Sequence, residues 1–313
     1  VGGIVGPVSE SVRVRAPGKV NLYLGVGELQ PNGYHELATA FQALSLYEDV
    51  TATAARDFQI TVEGDVDVSG VPLDETNLAM QAALAIADAG QLYGDGVHLH
   101  IRKGVPVAGG MGGGSADAAA TLVACDALWG TELGPARLHA IAASLGADVP
   151  FALHGGAAVG TGRGDELSAA LTKGRFDWVL VTRPDGLSTA AVYRGLDELR
   201  TRHRADLPIV PVRPRVDVEI LHALRSGDPR RLAEALQNDL QAAALSAKPA
   251  LAETIEDGLH AGALAGIVSG SGPTIALLCE DADDAASVAA TLTADDHTAI
   301  VAHGPVAGAR IIS

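Results

Sequence analysis

Residues 106–120 read PVAGGMGGGSADAAA. Gly109, Gly110, Gly112, Gly113 and Gly114 let the backbone come close to a ligand and turn its N–H groups inward, and an alanine-rich helix opening near Ser115 adds the positive end of its dipole. With Pro106 leading in, the segment is built to cradle an anion. A plain surface turn explains it less well, because a turn seldom needs this many glycines immediately before a helix. Neither GxxxxGK[ST] nor GxGxxG occurs in it, so it is a third kind of phosphate loop.

Three further segments carry chemistry. In PGKVNLYL (17–24), Lys19 can neutralise a phosphoryl group in transfer and lower the pKa of an attacking hydroxyl, and Asn21, two residues on, faces the same side of a strand. Standing alone, Lys19 would be a surface lysine. SGSGPT (269–274) is a small-residue loop between apolar strands, in which Gly270 and Ser271 permit close backbone contact with a substrate; a tight turn explains the same letters equally well. GADVPFALHGG (146–156) sets Asp148 just beyond a helix among apolar residues. By itself it is a turn aspartate, but beside a nucleotide and an alcohol it is the best candidate to take or orient the hydroxyl proton.

The elements that must position these residues follow from periodicity. SVRVRAP, NLYLGV and EDVTATAA predict strands, Thr76–Ala89 a helix, and VHLHIRK (97–103) a strand that feeds the glycine loop. Pro135–Leu145 predicts a helix closed by Gly146 in a left-handed cap, with Pro150 forbidding continuation. Beyond GTGRGDEL a second α+β unit begins with a strand at Phe176–Thr182, then helices near 188–200, 217–225, 229–243 and 248–261, then strand, helix and strand to the end. The three prolines within 201–216 indicate an exposed connector. The expected domains are 1–172 and 173–313, with the boundary near Lys173.

Composition bounds the function. A chain of 313 residues that is 48% hydrophobic can bury a sizeable core, and a net charge of −16 repels both a nucleic-acid backbone and an anionic membrane. A nucleotide can still bind where backbone N–H groups and a lysine outweigh the global field locally. Cys125 and Cys279 sit in separate apolar runs with no metal-ligand spacing and are expected to be buried thiols. The uncharged stretch from Ala261 to Cys279 is broken by glycines and Pro273, which argues against a membrane span, and the first residues lack a signal-peptide pattern. A cytoplasmic protein is the expectation, with its oligomeric state open. With no GxSxG elbow and no HExxH, a hydrolase has no support.

In this order and spacing the four segments resemble the GHMP kinase superfamily, and the resemblance spans nearly the whole chain. Together with NGYHEL (32–37) and DETNLAMQAA (74–83), they are specifically similar to the diphosphocytidyl-methylerythritol kinases of the non-mevalonate isoprenoid route. The resemblance implies an α+β fold of two domains, the first like ribosomal protein S5 and the second ferredoxin-like. It implies a small-molecule cytidine diphosphate methylerythritol substrate, with ATP and Mg²⁺ as cofactors. Tyr34 and His35 would hold the cytosine by stacking and by hydrogen bonds, and Tyr193, one helical turn beyond Thr189, would cover its other side. Asn77 and Lys103 would line the adenine pocket, and Ser115 would supply a hydroxyl on the phosphate and Mg²⁺ side. Lys19 would stabilise the developing charge and Asp148 would act as base. Asp117 puts a negative charge near the same helix end, with its orientation left open. Rival readings are another GHMP enzyme, which has no reason to carry Tyr34-His35-Glu36, and a silent nucleotide-binding protein, against which Lys19 and Asp148 weigh.

Overall fold

The computed structural model describes residues 11–107, 109–204 and 210–312. The leader reading of the first ten residues, and residues 205–209 of the expected connector, lie outside these. The chain opens with two long antiparallel strands, β1 (Ser11–Leu29) and β2 (His35–Ala55). The two strands expected at SVRVRAP and NLYLGV are therefore one. Pro17 cannot donate to the ladder, and a register shift at Pro17/Gly18 re-aims the strand without ending it. After β3 (Gln59–Gly64) come helix α1 (Leu78–Gly90) and strand β4 (Gly96–Lys103). Next are α2 (Gly113–Trp129), α3 (Gly134–Leu145), α4 (Val149–His154), and the hairpin strands β5 (Ala157–Thr161) and β6 (Glu166–Ala169).

The second part starts at β7 (Phe176–Thr182), followed by α5 (Thr189–Arg202), α6 (Val218–Ser226) and α7 (Pro229–Ala235). Then come the short strand β8 (Gln237–Asn238), α8 (Gln241–Ala247), α9 (Ala250–His260) and β9 (Ala265–Val268). It ends with β10 (Ile275–Cys279), α10 (Ala282–Ala294), β11 (Thr298–Gly304) and β12 (Arg310–Ile311). The first sheet runs β12-β1-β2-β4-β3, with β5 and β6 continuing from β2 and β8 alongside β1. The second runs β11-β7-β10-β9, the order a split β-α-β sheet takes when its crossing helices lie on one face. The mixed architecture is the α+β class expected.

Two further expectations are corrected. Gly146 is not a left-handed cap: its φ of 176° and ψ of 154° are extended, because the chain runs straight on into α4, with Val149 N–H donating back to Gly146 O at 3.2 Å. The single helix expected over 229–243 is broken into α7, β8 and α8. Its apolar spacing continues through the break, but Asn238 is needed elsewhere. Its Nδ2 donates to Val268 O at 2.8 Å and Gly270 O at 2.7 Å, and its Oδ1 accepts Leu240 N–H.

One core lies between the first sheet and α1 and α2, where the small residues Ala79, Ala83, Ala116 and Ala120 let the helices approach closely. A second core joins the sheets, with Val20, Leu22 and Leu44 of the first packed with Phe176, Trp178 and Leu180 of the second. Buried in that seam, Trp178 Nε1 donates to Gln42 Oε1 at 2.9 Å. Trp178→Phe strands that oxygen without a donor and is expected to lower the unfolding free energy by about 1–3 kcal/mol in urea melts. A change within about 0.5 kcal/mol would mean the bond contributes nothing.

Candidate active site

Strand β4 delivers the chain to the glycine loop, and the loop delivers it to α2. Gly110 (φ +76°) and Gly112 (φ +71°) occupy the left-handed region, where a side chain is strained. At Gly110 space forbids one as well, since a Cβ would stand 2.2 Å from Ser269 O, whereas one at Gly112 would only crowd Lys19 Cγ, at 3.3 Å. Helix α2 starts at Gly113, two residues before the expected Ser115, and its N-cap Gly112 supplies no side-chain acceptor. The first N–H groups of a helix have no intrahelical partner, so those of Gly113, Gly114 and Ser115 are available to a ligand. They open on a cavity of about 570 Å³ lined also by Asn77, Lys103, Pro106, Gly109, Gly110 and Gly112. Asn77 caps α1 by accepting Ala79 N–H at 2.9 Å and holds the 70–72 wall of the cavity by donating to Pro72 O at 2.8 Å.

A second cavity, of about 200 Å³, shares Gly110, Gly112 and Thr189 with the first. Lys19, Asn21, Asp148, Tyr193, Gly270 and Ser271 line it. Lys19 is anchored to the glycine loop by its N–H, which donates to Met111 O at 2.9 Å. Its Nζ donates to Asn21 Oδ1 at 2.6 Å and stands 3.6 Å from Asp148 Oδ2. Asn21 is fixed in turn by donating to Thr39 Oγ1, which donates to Tyr23 O. Asp148 sits at the N-cap of α4 yet makes no capping bond, because Pro150 removes one of the N–H groups a cap would serve. Its carboxylate thus remains for Lys19, with the side chain one-third exposed to the cavity. Ser271 Oγ and Thr189 Oγ1 are 2.9 Å apart, which ties α5 to the loop between β9 and β10.

Not every expected residue lines these cavities. Tyr34 stands in the turn before β2, 64% exposed. His35 stacks on Tyr193 with ring centroids 5.4 Å apart. Its Nδ1 donates to Gly27 O at 3.0 Å, and its Nε2 faces Asp197 Oδ2 at 3.4 Å. Burial, and then the nearby Asp148 charge, push the Tyr193 hydroxyl up to about 12. Thr39, Phe41 and Arg163 line the smaller cavity and were not foreseen. Phe41 and Thr39 belong to an apolar-looking run of β2. Arg163 sits in GTGRGDEL, where a cation flanked by Gly162 and Gly164, both at positive φ, was the available signal. Arg163 and Lys19 are the two cationic side chains on that cavity.

Asp117 and Lys103 answer each other. Lys103 Nζ donates to Asp117 Oδ2 at 2.6 Å and to Glu48 Oε1 at 2.8 Å, with all three residues buried. One ammonium faces two carboxyls, and burial together with the Asp117 charge pushes the Glu48 carboxyl up to about 9. The folded chain therefore keeps a proton that the unfolded chain releases near 4.5. Because the folded state binds more protons over this interval, stability falls as pH climbs from there toward about 9. Glu48→Gln is expected to flatten that slope in denaturant titrations run at several pH values; equal slopes in both proteins would mean Glu48 is ionised.

Residues 77–156 match the family model described as GHMP kinases N terminal domain, and residues 220–296 that of GHMP kinases C terminal. The chain is 57% identical over 305 residues to a 4-diphosphocytidyl-2-C-methyl-D-erythritol kinase of Leifsonia xyli subsp. xyli, covering 97% of this chain and 99% of the relative. It is 55% identical to the protein of that name from Clavibacter michiganensis subsp. michiganensis, with 97% of each chain covered. A crystal structure of a 4-(cytidine 5'-diphospho)-2C-methyl-D-erythritol kinase superposes with a TM-score of 0.74 at 32% identity, covering 93% of this chain and 98% of that one. Homoserine kinase from Cytophaga hutchinsonii has a TM-score of 0.72 at 16% identity, a likeness of fold alone. With both halves of the glycine-lined site matched in sequence and in backbone, the chain belongs to the GHMP kinase family, among the 4-diphosphocytidyl-2-C-methyl-D-erythritol kinases.

Proposed function

We propose that this chain transfers the γ-phosphoryl group of ATP to the 2-hydroxyl of 4-diphosphocytidyl-2-C-methyl-D-erythritol, a step of non-mevalonate isoprenoid precursor synthesis. The observation that carries the reading is Lys19 beside Asp148 where two cavities meet. The larger suits a nucleotide and the smaller an alcohol. Relatives above 50% identity are named 4-diphosphocytidyl-2-C-methyl-D-erythritol kinase, which supports the substrate and the reaction class.

ATP supplies the phosphoryl group, with Mg²⁺ neutralising its phosphates. The N–H groups of Gly112, Gly113, Gly114 and Ser115 hold the β and γ phosphates, helped by the α2 dipole. Among the described residues no group of three His, Cys, Asp or Glu side chains is arranged to grip an ion, and the Ser115 hydroxyl is the side chain that would meet Mg²⁺. Asn77, Lys103 and Pro106 border the adenosine end. Asp148 takes the proton of the substrate hydroxyl as its oxygen bonds to the γ-phosphorus and the bond to ADP breaks. Lys19, held by Asn21, balances the charge that develops on the transferring group. No covalent enzyme intermediate is needed. On the acceptor side, Asn21, Thr189, Gly270 and Ser271 bound the methylerythritol arm, and Arg163 is the cation for the diphosphate. Tyr34, His35 and Tyr193 serve the cytosine, which requires Tyr193 to lift from the imidazole it covers.

Among the described residues no helix is long and apolar enough to cross a membrane. Cys125 and Cys279 are unpaired, buried thiols, which supports work in a reducing compartment, the cytoplasm.

ADP release measured with diphosphocytidyl-methylerythritol, mevalonate, homoserine and galactose is expected only with the cytidine compound, and turnover confined to another alcohol would refute the substrate. Asp148→Asn is expected to lower turnover by about 10²–10⁴ with ATP affinity little changed. Near wild-type turnover in that variant would remove Asp148 from the reaction.

A further inference from the structure

Glu48, Lys103 and Asp117 perform no chemical step in the proposed transfer, yet they form a buried cluster of one ammonium and two carboxyls against the nucleotide cavity. Each comes from a different element: Glu48 from β2, Lys103 from the last position of β4, and Asp117 from the second turn of α2. Besides the two bonds from Lys103 Nζ, Glu48 Oε2 accepts the N–H of Gly104, the first residue after β4, at 3.1 Å. Such a cluster is a poor source of stability, since apolar side chains of similar volume commonly hold a core as well or better. Its location suggests another task. A Cβ at Gly113 would stand 2.8 Å from Glu48 Oε1, so this carboxyl lies directly against the first turn of α2. Lys103 and Asp117 both line the larger cavity, and Asp117 Oδ1 is buried there without a partner.

The first turn of α2 has little stiffness of its own. Its N-cap is glycine, its first two residues are glycines, and no side chain caps it. Phosphate capture by N–H dipoles nevertheless depends on their orientation, and loosely supported groups bind poorly. Something outside the loop has to fix that turn. We propose that the Glu48–Lys103–Asp117 cluster is the positioning device of the nucleotide seat. It ties the exit of β4 to the start of α2, so that the free N–H groups are aimed before the nucleotide arrives. Lys103 is thereby a strut: its ammonium is held between two carboxyls and is not free to reach a phosphate. The cluster governs nucleotide affinity, not the transfer step. This inference rests on the kinase reading.

The test begins with wild-type turnover of the cytidine substrate, whose failure would count against the proposed reaction and leave the cluster untouched. Binding of Mg·ADP, measured by calorimetry without the alcohol, then reads the seat directly. Glu48→Ala still leaves Lys103 and Asp117 paired one to one, so the charge balance survives. Its ADP dissociation constant is expected to rise about tenfold or more, while kcat at saturating ATP and the KM for the alcohol stay within about twofold. Glu48→Gln keeps the shape but only one acceptor oxygen, and a rise of about two- to fivefold is expected. A folded Glu48→Ala protein with wild-type ADP affinity, or one whose alcohol KM rises in step, would overturn the proposal. If Glu48→Ala does not fold, Glu48→Gln decides: an ADP affinity that moves while the alcohol KM does not supports the cluster's role, and an unmoved ADP affinity overturns it.

Discussion

The glycine loop before α2 and the loop between β9 and β10 press against each other so closely that no side chain fits between them. A Cβ at Gly109 would lie 2.7 Å from Thr274 Oγ1, and one at Gly270 would lie 3.2 Å from Gly110 O. Ser269 Oγ donates to Gly110 O across the same contact, at 3.2 Å. One loop hangs from the first sheet and the other from the second, so the site exists only where the two sheets meet. Asn238 secures the second loop from behind through Val268 O and Gly270 O, which is why a helix that could have run on is interrupted there. The seam with Trp178 and Gln42 beneath it holds the sheets at that spacing.

Charge is handled locally. On a chain with a net charge of −16, the larger cavity is bordered by the free backbone N–H groups of a helix end and by few cations, the kind of surface that can hold an anion against the global field. Of the lysines near the nucleotide cavity, Lys103 is locked between two carboxyls and Lys19 is steadied by Asn21 beside Asp148. The result is one ammonium held in place at the boundary between the two cavities, facing the Asp148 carboxylate.

Much of this was legible in the residues. Five glycines before an alanine-rich run mark a closely packed loop that opens a helix, and Lys19 with Asn21 two residues on shares a strand face, as the 2.6 Å bond between them bears out. Strand and helix positions followed from period and from proline or glycine stops. What stayed hidden depended on contacts distant in sequence. Nothing local marks Glu48 as the partner of Lys103, since the pairing is set by the β2–β4 register. The break at Asn238 has no glycine or proline to signal it, and its cause lies some thirty residues away. The stacking of His35 on Tyr193 joins the first strand pair to a helix of the second part, so neither segment alone predicts it. Gly146 misled because a glycine after a helix usually turns left-handed, whereas here the chain goes on extended to the next helix.

The central claim is that a triphosphate sits on the first turn of α2 with its terminal phosphorus facing Lys19 and Asp148. A crystal structure with a non-hydrolysable ATP analogue, Mg²⁺ and the cytidine substrate tests it most directly. The account predicts β- and γ-phosphate oxygens within about 3 Å of the N–H groups of Gly112 to Ser115, and the substrate hydroxyl within hydrogen-bond reach of Asp148. A nucleotide bound with its phosphates away from that turn, or an acceptor hydroxyl remote from both Lys19 and Asp148, would contradict it.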